Sequence, residues 1–167
     1  HYECDDFISL DIGAGSTELC DGETSISLPL GALDLKNRFG KIPTDDITPF
    51  IDALLEGQDL TPYQNKKIFL IGGTATALAT IDRGQTEFDM EQIEGHSCSR
   101  QNVQEWVLKL GNMSNEIRDQ LPGLDDNRAE IIIPGLKVIE RCYTALRSDT
   151  ATISTLGLRY GALLKSM

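Results

Sequence analysis

No apolar stretch in this 167-residue chain approaches the roughly 20 residues that a membrane-spanning helix requires. The start also lacks the basic and apolar regions of a signal peptide, so a cytoplasmic location is expected. Histidine is scarce, and the four cysteines, Cys4, Cys20, Cys98 and Cys142, lie far apart with no CxxC pair. That spacing argues against a zinc site or a disulfide framework and reads as buried or half-buried free thiols. His96 and Cys98 could face a common metal, but two ligands do not make a site. Positive charge is short as well: 15 lysines and arginines stand against 26 acids, a net charge of −11. This argues against the domain alone gripping a polyanion such as DNA through a broad basic face. Any anionic ligand must be held by backbone N–H groups, a few local cations, a divalent metal or another domain.

The composition, 40% hydrophobic and 25% charged, is that of a globular protein, and the length suits one domain over 1–167. The chain opens on His1 rather than methionine and enters a strand almost at once. That start reads as the cut edge of a larger protein or a tag remnant joined to one.

"FISLDI" is a short apolar run ending in glycines, the mark of a buried strand. "STELCDGETSISL" follows as two extended segments, with Asp21-Gly22 predicting a two-residue type I′ hairpin turn. In "PLGALDLKNRFG", Leu30, Leu33, Leu35 and Phe39 follow helical spacing and Gly40 closes the helix. "TDDITPFIDALLEG" is a second helix, capped by Thr44 or Asp45 with an acidic first turn, and Pro49 is tolerated near its start. "KKIFLIGGTATALATI" runs from an apolar strand through Gly72-Gly73 into an alanine-rich helix, while 82–99 has no periodicity and reads as loop. Val103, Trp106, Val107 and Leu110 share a helix face, Ser114 caps a short helix, and Pro134-Gly135 is expected to break or kink a long one. "TATIST" and "LGLRYGALLKSM" complete the pattern as a strand and a helix. The order fits an α/β architecture of the ribonuclease-H-like, actin-like ATPase type: a mixed five-stranded sheet with helices on both faces. Such halves come in pairs.

Two glycine turns could carry chemistry. In "LDIGAGSTEL", Gly13 and Gly15 let backbone N–H groups converge into an anion nest, and Ser16 and Thr17 add hydroxyl donors. Asp11 and Glu18 place two carboxylates at its lip. A carboxylate beside a phosphate is repulsive unless a cation bridges them, which implies Mg²⁺ or a similar hard ion; Glu18 could instead orient or deprotonate a water. Alone, the motif reads more readily as a plain tight turn than as a phosphate site. Gly72, Gly73 and Thr74 put further N–H groups at a helix N-terminus, on the carboxyl edge of the same sheet, where open α/β sheets bind ligands. Close packing of a small-residue helix explains those glycines too, and both readings can hold together.

"LDIGAGSTEL", "SLPLGALDL", "IGGTATALA", "NRAEIIIPGLKVIE" and "STLGLRYGALL", in this order and spacing, resemble the second domain of the exopolyphosphatase/guanosine-pentaphosphate phosphatase family. The resemblance implies two ribonuclease-H-like domains with the active site between them. It also implies Mg²⁺-dependent release of terminal phosphate from polyphosphate or pppGpp by direct attack of water. Asp11 then matches the metal-associated aspartate, and Gly13, Ala14, Gly15, Ser16 and Thr17 the phosphate loop. Glu18 matches the acid that helps place metal or water, serving as metal ligand and catalytic residue, and Gly72, Gly73 and Thr74 match the second glycine turn. The partners implied are polyphosphate or guanosine penta- or tetraphosphate and a missing N-terminal domain; a homodimer is left open.

Three departures stand against the family pattern. Ala14 replaces the usual middle glycine, and Tyr160 stands where the family often has glutamate. The family's catalytic base lies in a first domain that this chain does not include, so the fragment alone is expected to be inactive. Arg128 is expected to pair with Glu130 or contact a helix terminus rather than hold phosphate, and Lys36, Arg38 and Lys41 to form a solvated helix face. Rival readings are a non-catalytic sensor of ppGpp or phosphate, motivated by Ala14, and an ATP-dependent kinase of the same superfamily.

Overall fold

The computed structural model describes residues 6–40, 47–124 and 128–156. Strand β1 (Phe7–Ile12) buries Ile8, Leu10 and Ile12 on one side and turns Phe7, Ser9 and Asp11 to the other, the two-residue alternation of a pleated strand. β2 (Thr17–Cys20) and β3 (Ser25–Leu28) pair antiparallel beside it. β4 (Lys67–Ile71) and β6 (Thr150–Ile153) extend the sheet in parallel with β1, and β5 (Ser97–Ser99) closes the far edge. The order is β3-β2-β1-β4-β6-β5, six strands where five are expected. The extra strand is Ser97–Ser99, within the segment read as loop. Three residues on an edge, two of them serines, give too short a run for periodicity to show.

Helices α1 (Ala32–Phe39) and α2 (Thr48–Glu56) lead from β3 to β4. After β4 come α3 (Gly73–Asp82), the short α4 (Met90–Ile93), α5 (Arg100–Gly111), the short α6 (Asn115–Arg118) and α7 (Ile132–Ala145). Helix α7 is the hub: it is buried on nearly every side, touches α1, α2, α3 and α5, and lies against β1. The crossovers β3 to β4 and β4 to β6 step the same way across the sheet. Right-handed connections therefore put these helices on one face, over Ile8, Leu10, Leu19, Ile68, Leu70 and Ile153, which join them in one continuous core. The helix expected over 156–167 starts at the last described residue and otherwise lies outside the described residues, as does any cover it would give the other face. Tyr160, Cys4, Lys41, Thr44 and Asp45 lie outside them too.

Four local expectations are corrected. The β2-β3 connection is a four-residue loop, with Cys20 facing Ser25 across the ladder; the Asp21 side chain accepts from the N–H groups of Thr24 (2.8 Å) and Glu23 (3.1 Å). Helix α2 starts at Thr48 with Pro49 in its first turn, no side-chain cap and no acid there. Leu33 is 40% exposed because the buried face of α1 is set by Ala32 and Leu35, three residues apart, and Leu33 lies off it. Pro134-Gly135 neither breaks nor kinks α7: the helix starts at Ile132, so Pro134 falls in the first turn, where its missing N–H has no intrahelical partner to lose. Ser114 caps α6 as expected, its Oγ accepting from Ile117 N–H, and Ser99, in the segment read as loop, caps α5 through a capping box with Asn102.

Candidate functional site

Strands β1, β4 and β6 end together on one edge of the sheet, after Ile12, Ile71 and Ile153. The first glycine turn, Gly13 to Ser16, reverses β1 into β2 and closes with Gly13 N–H donating to Ser16 O at 2.9 Å. Its carbonyls face the start of α1: Gly13 O accepts from Ala32 N–H (3.0 Å), and Ala14 O from Leu33 (3.0 Å) and Asp34 (3.2 Å). The free donors of α1 are thus used by the loop. A side chain on Gly31 would run into Ala14 O and the Gly15 backbone, so Gly31 is the residue that lets loop and helix meet. This gives the "PLGAL" segment a physical role.

With its carbonyls turned to α1, the loop leaves the N–H groups of Ala14, Gly15 and Ser16 without a backbone acceptor among the described residues. Ala14 is exposed, and its φ is not positive; among described non-glycine residues only Asn65 and Arg147 have positive φ. The alanine therefore costs this loop no backbone strain. Gly13 and Gly15 also have ordinary φ, so the conformational freedom expected of them is not used. Thr17 is corrected: its hydroxyl is buried and donates to Leu30 O at 2.6 Å, because position 17 points to the core side of β2.

Asp11 and Glu18 are direct cross-strand partners on the side of the sheet away from α7, with Ser27 of β3 next in the row. Ser27 Oγ donates to Glu18 Oε1 at 2.9 Å. Partial burial, and secondarily the Glu18 charge opposite, push the Asp11 carboxyl above its ordinary value. Ile71 flanks Asp11 on the other side, so Gly72 follows one strand away. Gly72 has φ 87° and ψ 179°, a conformation open essentially to glycine alone, and a side chain there would strike Asp11 Oδ1. The second turn is shaped around the first turn's carboxylate.

Helix α3 starts at Gly73, and its first hydrogen bond is Thr76 N–H to Gly72 O at 3.1 Å, leaving the N–H groups of Gly73, Thr74 and Ala75 facing the edge. The Arg128 guanidinium lies over Gly73, where any side chain would collide with it. Glu130 pairs with Lys36 Nζ at 2.5 Å. Sequence reasoning weighed Arg128 mainly as a structural group; the fold sets it at the α3 N-terminus, which no local pattern reveals. The Thr74 side chain is buried against Gly135 of α7, while its N–H stays at the helix start. Close packing and an open N-terminus coexist in this helix. At the third strand end, Glu94 Oε2 accepts from Thr155 N–H and Oγ1 (both 2.6 Å) and Oε1 from Ser154 Oγ (3.1 Å), tying that segment back.

Elsewhere, Lys36 pairs as above and Arg38 sits over the Phe50 ring at 4.2 Å, in keeping with a helix face rather than an anion track. His96 Nε2 meets Asp82 Oδ2 at 2.8 Å, and burial pushes the Cys98 thiol up to about 12. Cys20, Cys98 and Cys142 are free. Among the described residues no cluster of three or more His, Cys, Asp or Glu could hold a metal, and no helix is long and apolar enough to cross a membrane. A cation beside Asp11 and Glu18 would thus take two carboxylates and complete its shell with water and phosphate oxygens, the manner in which Mg²⁺ is usually held. The donor set fits.

A ribonuclease-H-like sheet with two glycine turns and an acidic pair on its carboxyl edge defines an actin-like ATPase fold. A family model described as the Ppx/GppA phosphatase family matches residues 2–167, and the chain belongs to that family. It is 26% identical over 175 residues to Exopolyphosphatase 1 of Mycobacterium leprae, covering 96% of this chain and 51% of that protein. It is 23% identical to a bifunctional 3-dehydroquinate synthase/phosphatase of Fusobacterium nucleatum, covering 98% of this chain and 26% of that protein. The crystal structure of the Aquifex aeolicus Ppx/GppA phosphatase, in its type II variant, superimposes with a TM-score of 0.88 at 25% identity, over 98% of this chain and 57% of that one. An exopolyphosphatase from Cytophaga hutchinsonii shares the fold at a TM-score of 0.79 and 19% identity. The chain spans about half the length of the exopolyphosphatases it matches.

Proposed function

We propose that this chain is the phosphate-binding second domain of a two-domain phosphoanhydride hydrolase that releases terminal phosphate from polyphosphate or pppGpp. The observation that carries the reading is the convergence on one sheet edge of Asp11, Glu18 and two sets of N–H groups, Ala14 to Ser16 and Gly73 to Ala75. The glycine turns bind and orient phosphate oxygens, which a chain of net charge −11 must do with backbone donors and few cations. Arg128 supplies a cation beside the second set. Bound Mg²⁺ supplies charge neutralisation at the phosphate. Asp11 and Glu18 would hold it, and Glu18 orients the attacking water. Positioning and charge stabilisation are the protein's contribution. A base from the first domain would complete the site, so this chain alone is inactive.

The sensor reading is motivated by Ala14; its φ is not positive, so the alanine strains no backbone, which supports the catalytic reading. The test is phosphate release from polyphosphate and from pppGpp, with Mg²⁺, by the two-domain protein and its Glu18→Gln variant. The expected result is a loss of about a hundred-fold or more in kcat; undiminished turnover by the variant would sink the role given to Glu18.

A further inference from the structure

The acidic pair is the middle of a longer row. Across β1, β2 and β3, Asp11 faces Glu18 and Glu18 faces Ser27, all on the side of the sheet away from α7. Ser27 Oγ donates to Glu18 Oε1 at 2.9 Å, which ties that carboxylate to the β3 side of the row. Two like charges directly opposite on paired strands repel. A donor on the third strand gives Glu18 one settled direction.

Strand β3 is an edge strand of four residues, which by itself could slip, and a one-residue slip would set Ile26 or Leu28 opposite Glu18. Both of its ends are pinned. At the entry, Asp21 accepts from Thr24 N–H, Glu23 N–H and Thr24 Oγ1. At the exit, the buried Thr17 hydroxyl donates to Leu30 O at 2.6 Å. The residue expected to touch phosphate thus fixes the strand that carries Ser27.

We propose that Ser27 is a positioning residue that holds the Glu18 carboxylate in its working direction through the Oγ to Oε1 hydrogen bond. The inference rests on the reading of Glu18 given above. Ser27 does not contact the phosphate turns, so its removal acts on turnover and not on substrate capture.

The test uses the two-domain protein with polyphosphate as substrate, and NMR of the Glu18 side chain, its carboxyl carbon shift and side-chain rotamer couplings, without substrate. Ser27→Ala is expected to lower kcat about three- to ten-fold with KM unchanged, the effect of one lost hydrogen bond, and to average the Glu18 rotamers. Ser27→Thr keeps the hydroxyl on a residue suited to a strand and should restore kcat to within about two-fold, with a single Glu18 rotamer. A purely structural serine would shift the melting temperature in both variants and leave the Glu18 signals alone. Wild-type kcat and an unchanged Glu18 rotamer in Ser27→Ala overturn the inference. Full turnover by Glu18→Gln instead overturns the parent reading, whatever the Ser27 variants do.

Discussion

At the scale of single residues, Asp11 shows how a site opposes stability. Folding raises its pKa through partial burial and the Glu18 charge, so over the pH range between the unfolded and folded values the folded chain binds more protons. Stability from this group is present below the ordinary carboxylate range and is lost as pH rises through the raised value. Asp11→Asn should therefore stabilise the divalent-free protein at neutral pH by about 0.2–1 kcal/mol, the scale of a like-charge cross-strand pair, and give no gain in acid. Thermal melts at the two pH values check this. Asp21 has the opposite sign: hydrogen bonds from the Thr24 and Glu23 N–H groups hold its carboxyl down to about 2. Its contribution is present above the ordinary carboxylate range and disappears as pH falls towards that value, so Asp21→Ala should destabilise at neutral pH and be nearly silent in strong acid.

At the scale of elements, glycines decide how closely things approach. Gly135 of α7 faces Thr74 of α3, and a methyl group there would lie 2.6 Å from Thr74 Cγ2 and Oγ1. Gly135→Ala is expected to cost about 1–3 kcal/mol in denaturant unfolding; adding Thr74→Ala should recover part of it, a non-additivity that marks the contact. Gly72→Ala faces both the left-handed φ and the Asp11 carboxylate, and should cost phosphate binding as well as about 1–3 kcal/mol of stability. Elements with a clear apolar pattern, such as β1, β4 and α5, were legible from sequence, as was the helical period of α7. The edge strand Ser97–Ser99 was not, because three residues carry no period. The unbroken α7 was not either, because the helix start relative to Pro134 depends on the turn at 128–131.

At the scale of the whole molecule, the net charge of −11 sets a self-repulsion that salt should screen. The melting temperature should rise by roughly a few degrees between very low salt and about 0.15 M NaCl, where the Debye length is about 8 Å. A flat or falling trend would show that local ion pairs such as Lys36–Glu130 and Arg141–Asp52 outweigh the repulsion.

The sequence by itself determined the order of the longer strands and helices, the two glycine turns and the placing of Asp11 and Glu18 on neighbouring strands, because these follow from local periodicity and short turns. Membership of the Ppx/GppA family was also legible in its spaced motifs. Only the tertiary structure decided which way the hydroxyls point: Thr17 inward to Leu30 and Thr74 inward to Gly135, since a side chain's face depends on strand register and helix rotation against partners distant in the chain. It likewise decided that Arg128 lies over Gly73 and that Ser27 meets Glu18. Those contacts join residues with no shared local pattern, and long-range packing alone brings them together.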